Sequence, residues 1–397
     1  MRIPLQKIFG IREMRAWYIG ISIIVFSGII FFFFVEQKRN VTDRTACDKT
    51  ATQEQAQCWA DSIERAMHER GVESAFSVLT DLSSRNKNED FARACHALVH
   101  LIGAEAYKRF AAGEKFSITD KSANCDFGFY HGFMEALLTS TGDISQARDF
   151  CRVVDAEIAA RLPGIKLQCY HGIGHGAVEL HDPRAKGDVM AFVKPARALC
   201  EKVSDNKEQL ENCLSGVFNG IGNFYISRQN GFVIDKNDPM WICRQQPDEY
   251  KSVCYGLLAR VLYARVGNEF LPAIRSAQKN VEKPYVLTVV GNIAAMETNY
   301  FGNSHEDKII GECQALERET RRSCIQGYVS GLIQVGQPGR EQVNALSFCN
   351  NTALLPEDHS SCFSRLLNDF SKMRSHEQIT NLCTLIDTPY RNASVCS

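Results

Sequence analysis

Sixteen cysteines occur in successive pairs, and this spacing constrains the fold more than any other feature of the sequence. Most second members open a small, apolar segment, as in CYHGIGHG, CLSGVFNG and CIQGYVSG. A unit of roughly 35–70 residues that recurs in this way is typical of helical-hairpin solenoids, in which one helix ends near the first cysteine and the next begins near the second. We predict disulfides between neighbours in sequence: Cys47 with Cys58, Cys95 with Cys125, Cys151 with Cys169, Cys200 with Cys213, Cys243 with Cys254, Cys313 with Cys324, Cys349 with Cys362 and Cys383 with Cys396.

Helical periodicity runs through the segments between these pairs. Residues 88–110 place apolar side chains at helical spacing without proline or an internal turn cluster. Residues 53–69 and 73–85 have the same character, and Gly71 is a natural break between them. Strand-like alternation is scarce. The sequence therefore predicts an all-α ectodomain, built as a disulfide-stapled, α-solenoid-like array of helical hairpins.

A nineteen-residue run without charge, residues 17–35, predicts a transmembrane helix near the N-terminus. At about 1.5 Å per residue it is about 28 Å long, close to the roughly 30 Å hydrocarbon core of a bilayer. No small-residue cleavage site closes the run, which favours an uncleaved signal anchor over a cleaved signal peptide. A slight basic bias favours a cytoplasmic N-terminus at 1–16, followed by the span and a linker at 36–46.

Charge and cysteine content define the setting of the remaining chain. The formal net charge of -1 leaves no basic surplus to neutralise phosphates, which argues against nucleic acid as a partner. An even number of cysteines, all beyond the apolar run, is typical of an oxidising compartment. We predict a single-pass membrane protein whose main domain is extracytoplasmic, in a periplasm, at a cell surface or in a lumen.

Ligand-type side chains recur at four-residue spacing in CHALVHLIG, FYHGFMEAL and CYHGIGHG. Residues four apart lie on one face of a helix, where two imidazoles, or an imidazole and a carboxylate, can hold one metal ion. Chance would give about a quarter of one HxxxH pair in this chain, which has two. The predicted metal site consists of His96, His100, His131, Glu135, His171 and His175.

The metal and its setting stay open at the level of sequence. Nitrogen-rich ligation with one carboxylate fits zinc, copper or iron, as one or two ions, and disfavours calcium and magnesium. In a simpler interpretation, the histidines are hydrogen-bonded core residues. In another, Cys95, Cys125 and Cys169 are thiolate ligands of a structural zinc ion.

The later repeats keep the cysteines and lack the ligands. Ser215 and Asn219, for example, stand at the repeat positions of His171 and His175. We therefore divide the ectodomain into a His-rich part at 47–185 and a part at 186–397 that is predicted to offer a surface to a protein partner.

Glu135 and three further side chains are candidates for chemistry at the metal. Glu135 could be a ligand or a general base. Tyr130 and Tyr170 each precede a candidate histidine and could donate hydrogen bonds or protons. Asp126 is a candidate carboxylate behind the ligands.

The three motifs also resemble a known pattern. They stand here as CHxxxHxIG from Cys95, GxYHGxxE from Gly128 and CxHGxGHG from Cys169, and the trio resembles uncharacterised secreted or membrane-anchored bacterial proteins. That resemblance covers about the first half of the ectodomain and implies no particular reaction. The hairpin repeats are similar to tetratricopeptide-type and Sel1-type solenoids without their consensus residues, which is an architectural likeness only.

Three functions are compatible with these features. The first is a membrane-anchored, metal-dependent hydrolase or oxidase. The second is a non-catalytic scaffold, or an accessory subunit of a membrane complex, that binds a protein partner. The third is metal storage or delivery. The sequence alone does not decide whether the protein is an enzyme.

Overall fold

The computed structural model describes residue 47 and residues 52–85, 89–180, 182, 184–301, 305–391 and 395–396. The chain divides into two units, Met1–Thr50 and Ala51–Ser397. Only Cys47 is described in the first unit, so the predicted transmembrane segment at 17–35 lies outside the described residues and stays a prediction. Among the residues that are described, no helix is long and apolar enough to cross a membrane.

The second unit is helical throughout its described part, where no strand occurs, and the all-α prediction is confirmed. Short 3-10 turns join some of the helices. The α-helices are α1 (Thr52–Arg70), α2 (Val72–Arg85), α3 (Glu89–Ala111), α4 (Gly128–Thr141), α5 (Ile144–Ile158), α6 (Ile165–Glu179), α7 (Met190–Val203), α8 (Lys207–Ser227), α9 (Trp241–Arg244), α10 (Asp248–Arg265), α11 (Phe270–Asn280), α12 (Val286–Phe301), α13 (Glu306–Gln314), α14 (Arg318–Gln334), α15 (Gln342–Cys349), α16 (Pro356–Met373) and α17 (His376–Thr384).

Eight of these helices form an inner row in which each packs on the next: α3, α4, α6, α8, α10, α12, α14 and α16. Most of the shorter helices pack on the outside of this row against their neighbours in sequence. The row curls, because α12 also packs against α3, and the Gly164 amide donates a 3.0 Å hydrogen bond to the Lys372 carbonyl at the end of α16. The inner helices therefore surround a cavity rather than a flat surface.

Disulfides staple the outer helices to the inner row, as the cysteine spacing predicts. Cys151 of α5 bonds Cys169 of α6, with their Cα atoms 5.6 Å apart, and four further disulfides join an outer helix to the next inner helix in the same way. Cys95–Cys125 instead joins α3 to the turn before α4, and Cys383–Cys396 joins α17 to the C-terminal segment. The confirmed pairs are Cys95 with Cys125, Cys151 with Cys169, Cys200 with Cys213, Cys243 with Cys254, Cys313 with Cys324, Cys349 with Cys362 and Cys383 with Cys396.

The two remaining cysteines fit the same scheme. Cys47 and Cys58 are disulfide-bonded as well, and no cysteine is free in the described part of the chain. A cysteine that forms a disulfide has no thiolate to offer a metal ion. The alternative in which Cys95, Cys125 and Cys169 hold a structural zinc ion is therefore wrong.

Glycines let the inner helices approach until their backbones touch. A Cβ atom on Gly132 would overlap the carbonyl oxygen of His100, and one on Gly216 would overlap that of His171. Glycine within a helix lowers helix stability by about 1 kcal/mol relative to alanine. The glycines of the repeated HG and SG dipeptides therefore weaken their own helices but allow neighbouring helices to pack closely. The Gly132 contact fixes the distance between α3 and α4, which carry four of the six candidate ligands.

Gly327 offers a test of this packing away from the histidines. A Cβ there would overlap the backbone of Gly291 across the α14–α12 contact, whereas one on Gly311 in α13 would meet nothing within 4 Å. We expect Gly327→Ala to lower the free energy of unfolding by about 1–3 kcal/mol through overpacking. The matched control Gly311→Ala should raise it by up to about 1 kcal/mol through helix propensity. Urea unfolding of both variants measures the difference, and equal stabilities would contradict the packing argument.

Candidate metal centre

Three neighbouring inner helices carry the six predicted ligands to one wall of the cavity. Helix α3 contributes His96 and His100, α4 contributes His131 and Glu135, and α6 contributes His171 and His175. The four-residue spacing therefore does place each pair on a common face. The five imidazoles form one cluster, and the ring centroid of His131 lies 4.5–5.0 Å from those of the other four.

Two overlapping groups of three histidines have the geometry of a metal site. The first is His96, His100 and His131, and the second is His131, His171 and His175. Within each group the candidate ligand atoms all lie within 4.8 Å of one another. Three imidazoles with a fourth position open to a cavity form a ligand set that proteins use for zinc, and imidazole also suits copper and iron. The described residues can therefore hold a transition-metal ion.

Hydrogen bonds fix which nitrogen His96 and His171 offer to an ion. The Nδ1 atom of His96 lies 2.8 Å from the carbonyl oxygen of Cys125 and must donate to it. The Nδ1 atom of His171 lies 2.5 Å from Oγ of Ser215, whose hydroxyl donates to the Asn212 carbonyl and so accepts from the imidazole. In both rings Nε2 is left without a proton and available as a ligand, an arrangement typical of metal-bound histidine.

Glu135 lies on the Nδ1 side of two histidines rather than among the candidate ligand atoms. Its carboxylate is 3.3 Å from Nδ1 of His175 and 3.6 Å from Nδ1 of His100. Neither histidine group includes it. A carboxylate that contacts Nδ1 orients the ring and raises the basicity of Nε2. The geometry therefore favours Glu135 as a support of the ligands over its predicted role as a ligand.

Two ring nitrogens in the cluster have no partner among the described residues. His131 and His175 are only 2% and 6% exposed. The Nε2 atoms of both are buried and, within the described chain, make no hydrogen bond. Buried polar atoms are nearly always satisfied, and leaving one without a partner costs about 1–3 kcal/mol. A metal ion would satisfy both atoms, and this is the strongest structural indication that the cluster binds one.

Burial lowers the pKa of four of the five imidazoles and so favours the neutral form that binds metal. Burial, reinforced by the neighbouring His100, lowers the pKa of His96 to about 3. Burial and the adjacent His175 also hold the pKa values of His131 and His171 well below the usual range. Burial opposes ionisation of Glu135, but the contacts with His100 and His175 outweigh it and lower its pKa to about 2. At neutral pH, His96, His131, His171 and His175 are therefore neutral imidazoles beside an ionised Glu135.

The backbone just before α4 adopts an unusual conformation beside the cluster. Cys125, Asp126 and Phe127 have φ values of 52°, 57° and 57°, so three successive non-glycine residues are left-handed. This costs about 1–2 kcal/mol per residue. The Cys95–Cys125 disulfide holds this segment in place, and the segment directs the Cys125 carbonyl towards His96.

Asp126 lines the same cavity. Burial and the nearby charge of Asp369 raise the pKa of its carboxyl group to about 6.

The two tyrosines suggested for catalysis lie elsewhere. The Tyr130 hydroxyl is buried and 2.7 Å from the Ser122 hydroxyl, and burial raises its pKa. Tyr170 is fully buried, and burial, with Asp205 as the next influence, raises its pKa too. Neither side chain lines the cavity. Positions adjacent in a helix point about 100° apart, so each tyrosine faces away from the histidine that follows it.

A polar wall that the sequence did not predict faces the histidines across the cavity. The cavity has a volume of about 710 Å³. Its other walls include Asn219 and Asn223 of α8, Arg260 of α10 and Asn292 of α12. Asn219 Nδ2 is 3.5 Å from Nε2 of His171, and Arg260 donates a 2.5 Å hydrogen bond to the Asn223 side chain.

Two positions of the sequence repeat could have predicted this wall. Positions two and six after the second cysteine are His171 and His175 in α6, Ser215 and Asn219 in α8, and Gly256 and Arg260 in α10, and all six line the cavity. Repeats without histidine therefore also contribute to the walls of this cavity. The cavity takes residues from both sides of the division at 185/186, and Ala51–Ser397 is one compact unit.

No family model, curated protein or solved structure matches this chain.

Proposed function

We propose that this protein is a metal-dependent enzyme that acts on a small polar molecule in an extracytoplasmic compartment. The observation that carries the proposal is the convergence of five histidines, two of them with buried and unpartnered Nε2 atoms, on the wall of a cavity. Bound there, a zinc, copper or iron ion would supply Lewis-acid or redox chemistry at a position open to the cavity.

The cavity supports an enzyme over a closed storage site. Its volume of about 710 Å³ falls within the range of ordinary small-molecule pockets. Amide side chains of Asn219, Asn223 and Asn292 and the guanidinium of Arg260 share it with the histidines. These groups can donate and accept hydrogen bonds, so they favour a substrate with several polar groups over an apolar one.

The disulfides support the location. Bonds of this number are typical of oxidising compartments outside the cytoplasm. Tethering by residues 17–35, with the N-terminus in the cytoplasm, remains a prediction from the sequence. A protein partner on the repeat surface likewise remains a proposal.

Elemental analysis of the full chain tests metal binding directly. We expect bound zinc, copper or iron in protein purified under oxidising conditions in mild detergent without chelator. His131→Ala should lose nearly all of it, because His131 belongs to both histidine groups. The matched control His376→Ala, on an exposed position of α17, should keep the full content. Equal metal content in the two variants would contradict the assignment.

A cobalt-substituted sample separates an enzyme from a storage protein. We expect azide to change the visible absorption spectrum of the Co²⁺ form, because an open coordination position accepts a small external ligand. An unchanged spectrum would indicate a closed site and favour storage or delivery. A chain that binds no metal under any loading condition would favour the scaffold, with histidines that serve only the core.

A further inference from the structure

We propose that the cluster holds two metal ions and that His131 bridges them, with one ring nitrogen on each. This inference rests on the proposed metal binding and adds the number of ions and the division of ligands. In it, Nδ1 of His131 joins His96 and His100 around one ion, and Nε2 joins His171 and His175 around the other.

The first ion is indicated by two nitrogens that face each other. Nδ1 of His131 lies 3.1 Å from Nε2 of His100. The Nδ1 atom of His100 is turned towards the Glu135 carboxylate, 3.6 Å away, which leaves its Nε2 as an acceptor. His96 offers its Nε2 as well, because its Nδ1 donates to the Cys125 carbonyl. In the metal-free protein Nδ1 of His131 donates to Nε2 of His100, and it would give up this proton to bind an ion. The candidate ligand atoms of the three histidines lie within 4.8 Å of one another.

The second ion is indicated by the nitrogens that remain. With Nδ1 of His131 engaged towards His100, its Nε2 is the buried atom that lacks a hydrogen bond within the described chain. The Nε2 atom of His175 is also buried and makes no hydrogen bond within the described chain. Its Nδ1 faces the Glu135 carboxylate at 3.3 Å, which leaves Nε2 free to bind an ion. His171 completes the group with an Nε2 freed by the hydrogen bond to Ser215.

A single ion cannot use all these atoms. Structural and catalytic zinc sites take three or four protein ligands, whereas the cluster presents five imidazoles and six candidate nitrogens. One ion in either group would leave two histidines of the other group buried or half-buried without a metal ion to bind. Two ions with a shared central ring use every imidazole and satisfy both unpartnered Nε2 atoms. An imidazole carries one proton, so binding at both nitrogens releases that proton to solvent.

Glu135 fits the same arrangement as a shared outer partner. Its two oxygens contact Nδ1 of one histidine from each group, His100 in the first and His175 in the second. One carboxylate therefore orients a ligand of each ion. Carboxylates in this position are a regular feature of histidine metal sites.

The test counts ions in the full chain and in two single-site variants. The native protein, loaded with Zn²⁺ and freed of excess, should hold two ions per chain. His96→Ala and His171→Ala, which each remove one ligand from one group only, should each hold one. His376→Ala is the matched control and should hold two. Circular dichroism spectra that match the native spectrum show that the variants are folded.

Copper provides a readout that a pair of unrelated sites would not give. With Cu²⁺ at both positions, a shared imidazole couples the two unpaired electrons, so the native electron paramagnetic resonance signal should be weaker than the copper content requires. In His96→Ala and His171→Ala the remaining ion should give its full signal. Two ions without coupling would overturn the bridge.

The failure of this inference is distinguishable from that of the proposed function. One ion in the native chain, lost equally in both variants, would overturn the two-ion centre and leave the metal-dependent enzyme intact. No ion in any sample would overturn both.

Discussion

Reduction and alkylation of the disulfides in denaturant should leave this chain unable to refold after dilution. Each disulfide is expected to contribute on the order of 2–4 kcal/mol, mainly by restricting the unfolded chain. A folded domain is stable by only about 5–15 kcal/mol in total. Seven such bonds lie along the array from Cys95 to Cys396, and Cys47 and Cys58 are disulfide-bonded as well, so the combined loss is expected to exceed that margin.

Far-UV circular dichroism measures this outcome. The control is the same chain taken through urea with its disulfides intact, which should recover its helical spectrum on dilution. The alkylated chain should give the spectrum of a largely unfolded protein. If it instead regains the helical spectrum with an unchanged melting temperature, the helix packing suffices and the staples are secondary. The same reasoning predicts that folded protein accumulates only where the chain meets an oxidising environment.

The sequence predicts the local elements of this fold well because two strong local signals agree. A cysteine near the end of one helix and another near the start of the next define a hairpin, as for Cys200 in α7 and Cys213 in α8. Helical periodicity gives the first three helices nearly to the residue, with the break at Gly71. Both signals depend on residues close in the chain, where spacing and conformation are directly linked.

Helical periodicity and cysteine spacing do not predict the curl of the array. It depends on contacts between distant helices, such as α12 against α3, and on the Gly164–Lys372 hydrogen bond. No single residue type marks these contacts. The sequence therefore does not show that Asn292 of a late repeat lines the same cavity as the histidines, because only the curl brings it there.

The candidate ligands were predictable, whereas their roles were not. Four-residue spacing identifies His96 and His100 as neighbours on a helix, which needs no tertiary knowledge. That Glu135 sits behind the rings, and that Ser215 sets the tautomer of His171, depends on how α4, α6 and α8 pack. Ring orientation is decided by atoms on other helices, and the sequence of one helix does not contain that information.

Glu135→Gln should weaken metal binding by about 10–100-fold, the usual effect of removing an outer partner of metal-bound histidine. The contacts with His100 and His175 lower the pKa of Glu135 to about 2, so its side chain is ionised at neutral pH. The variant therefore removes a full negative charge from beside these two histidines. Glutamine keeps nearly the same shape, which limits the effect on packing. Competition against a chromophoric chelator at neutral pH gives the affinity, and the melting temperature of the metal-free form reports the fold.

The size of the loss distinguishes the two roles open to this carboxylate. As a support of His100 and His175, its loss weakens binding and leaves the metal content recoverable at a higher metal concentration. As a direct ligand, its loss should resemble that of His131→Ala, in which the content does not recover. Glu377→Gln, on an exposed position of α17, is the matched control for the loss of a carboxylate and should bind as the native chain does. If Glu135→Gln bound metal with the same affinity as Glu377→Gln, both roles would be contradicted. The carboxylate that contacts His100 and His175 would then have no influence on the ion that these histidines hold.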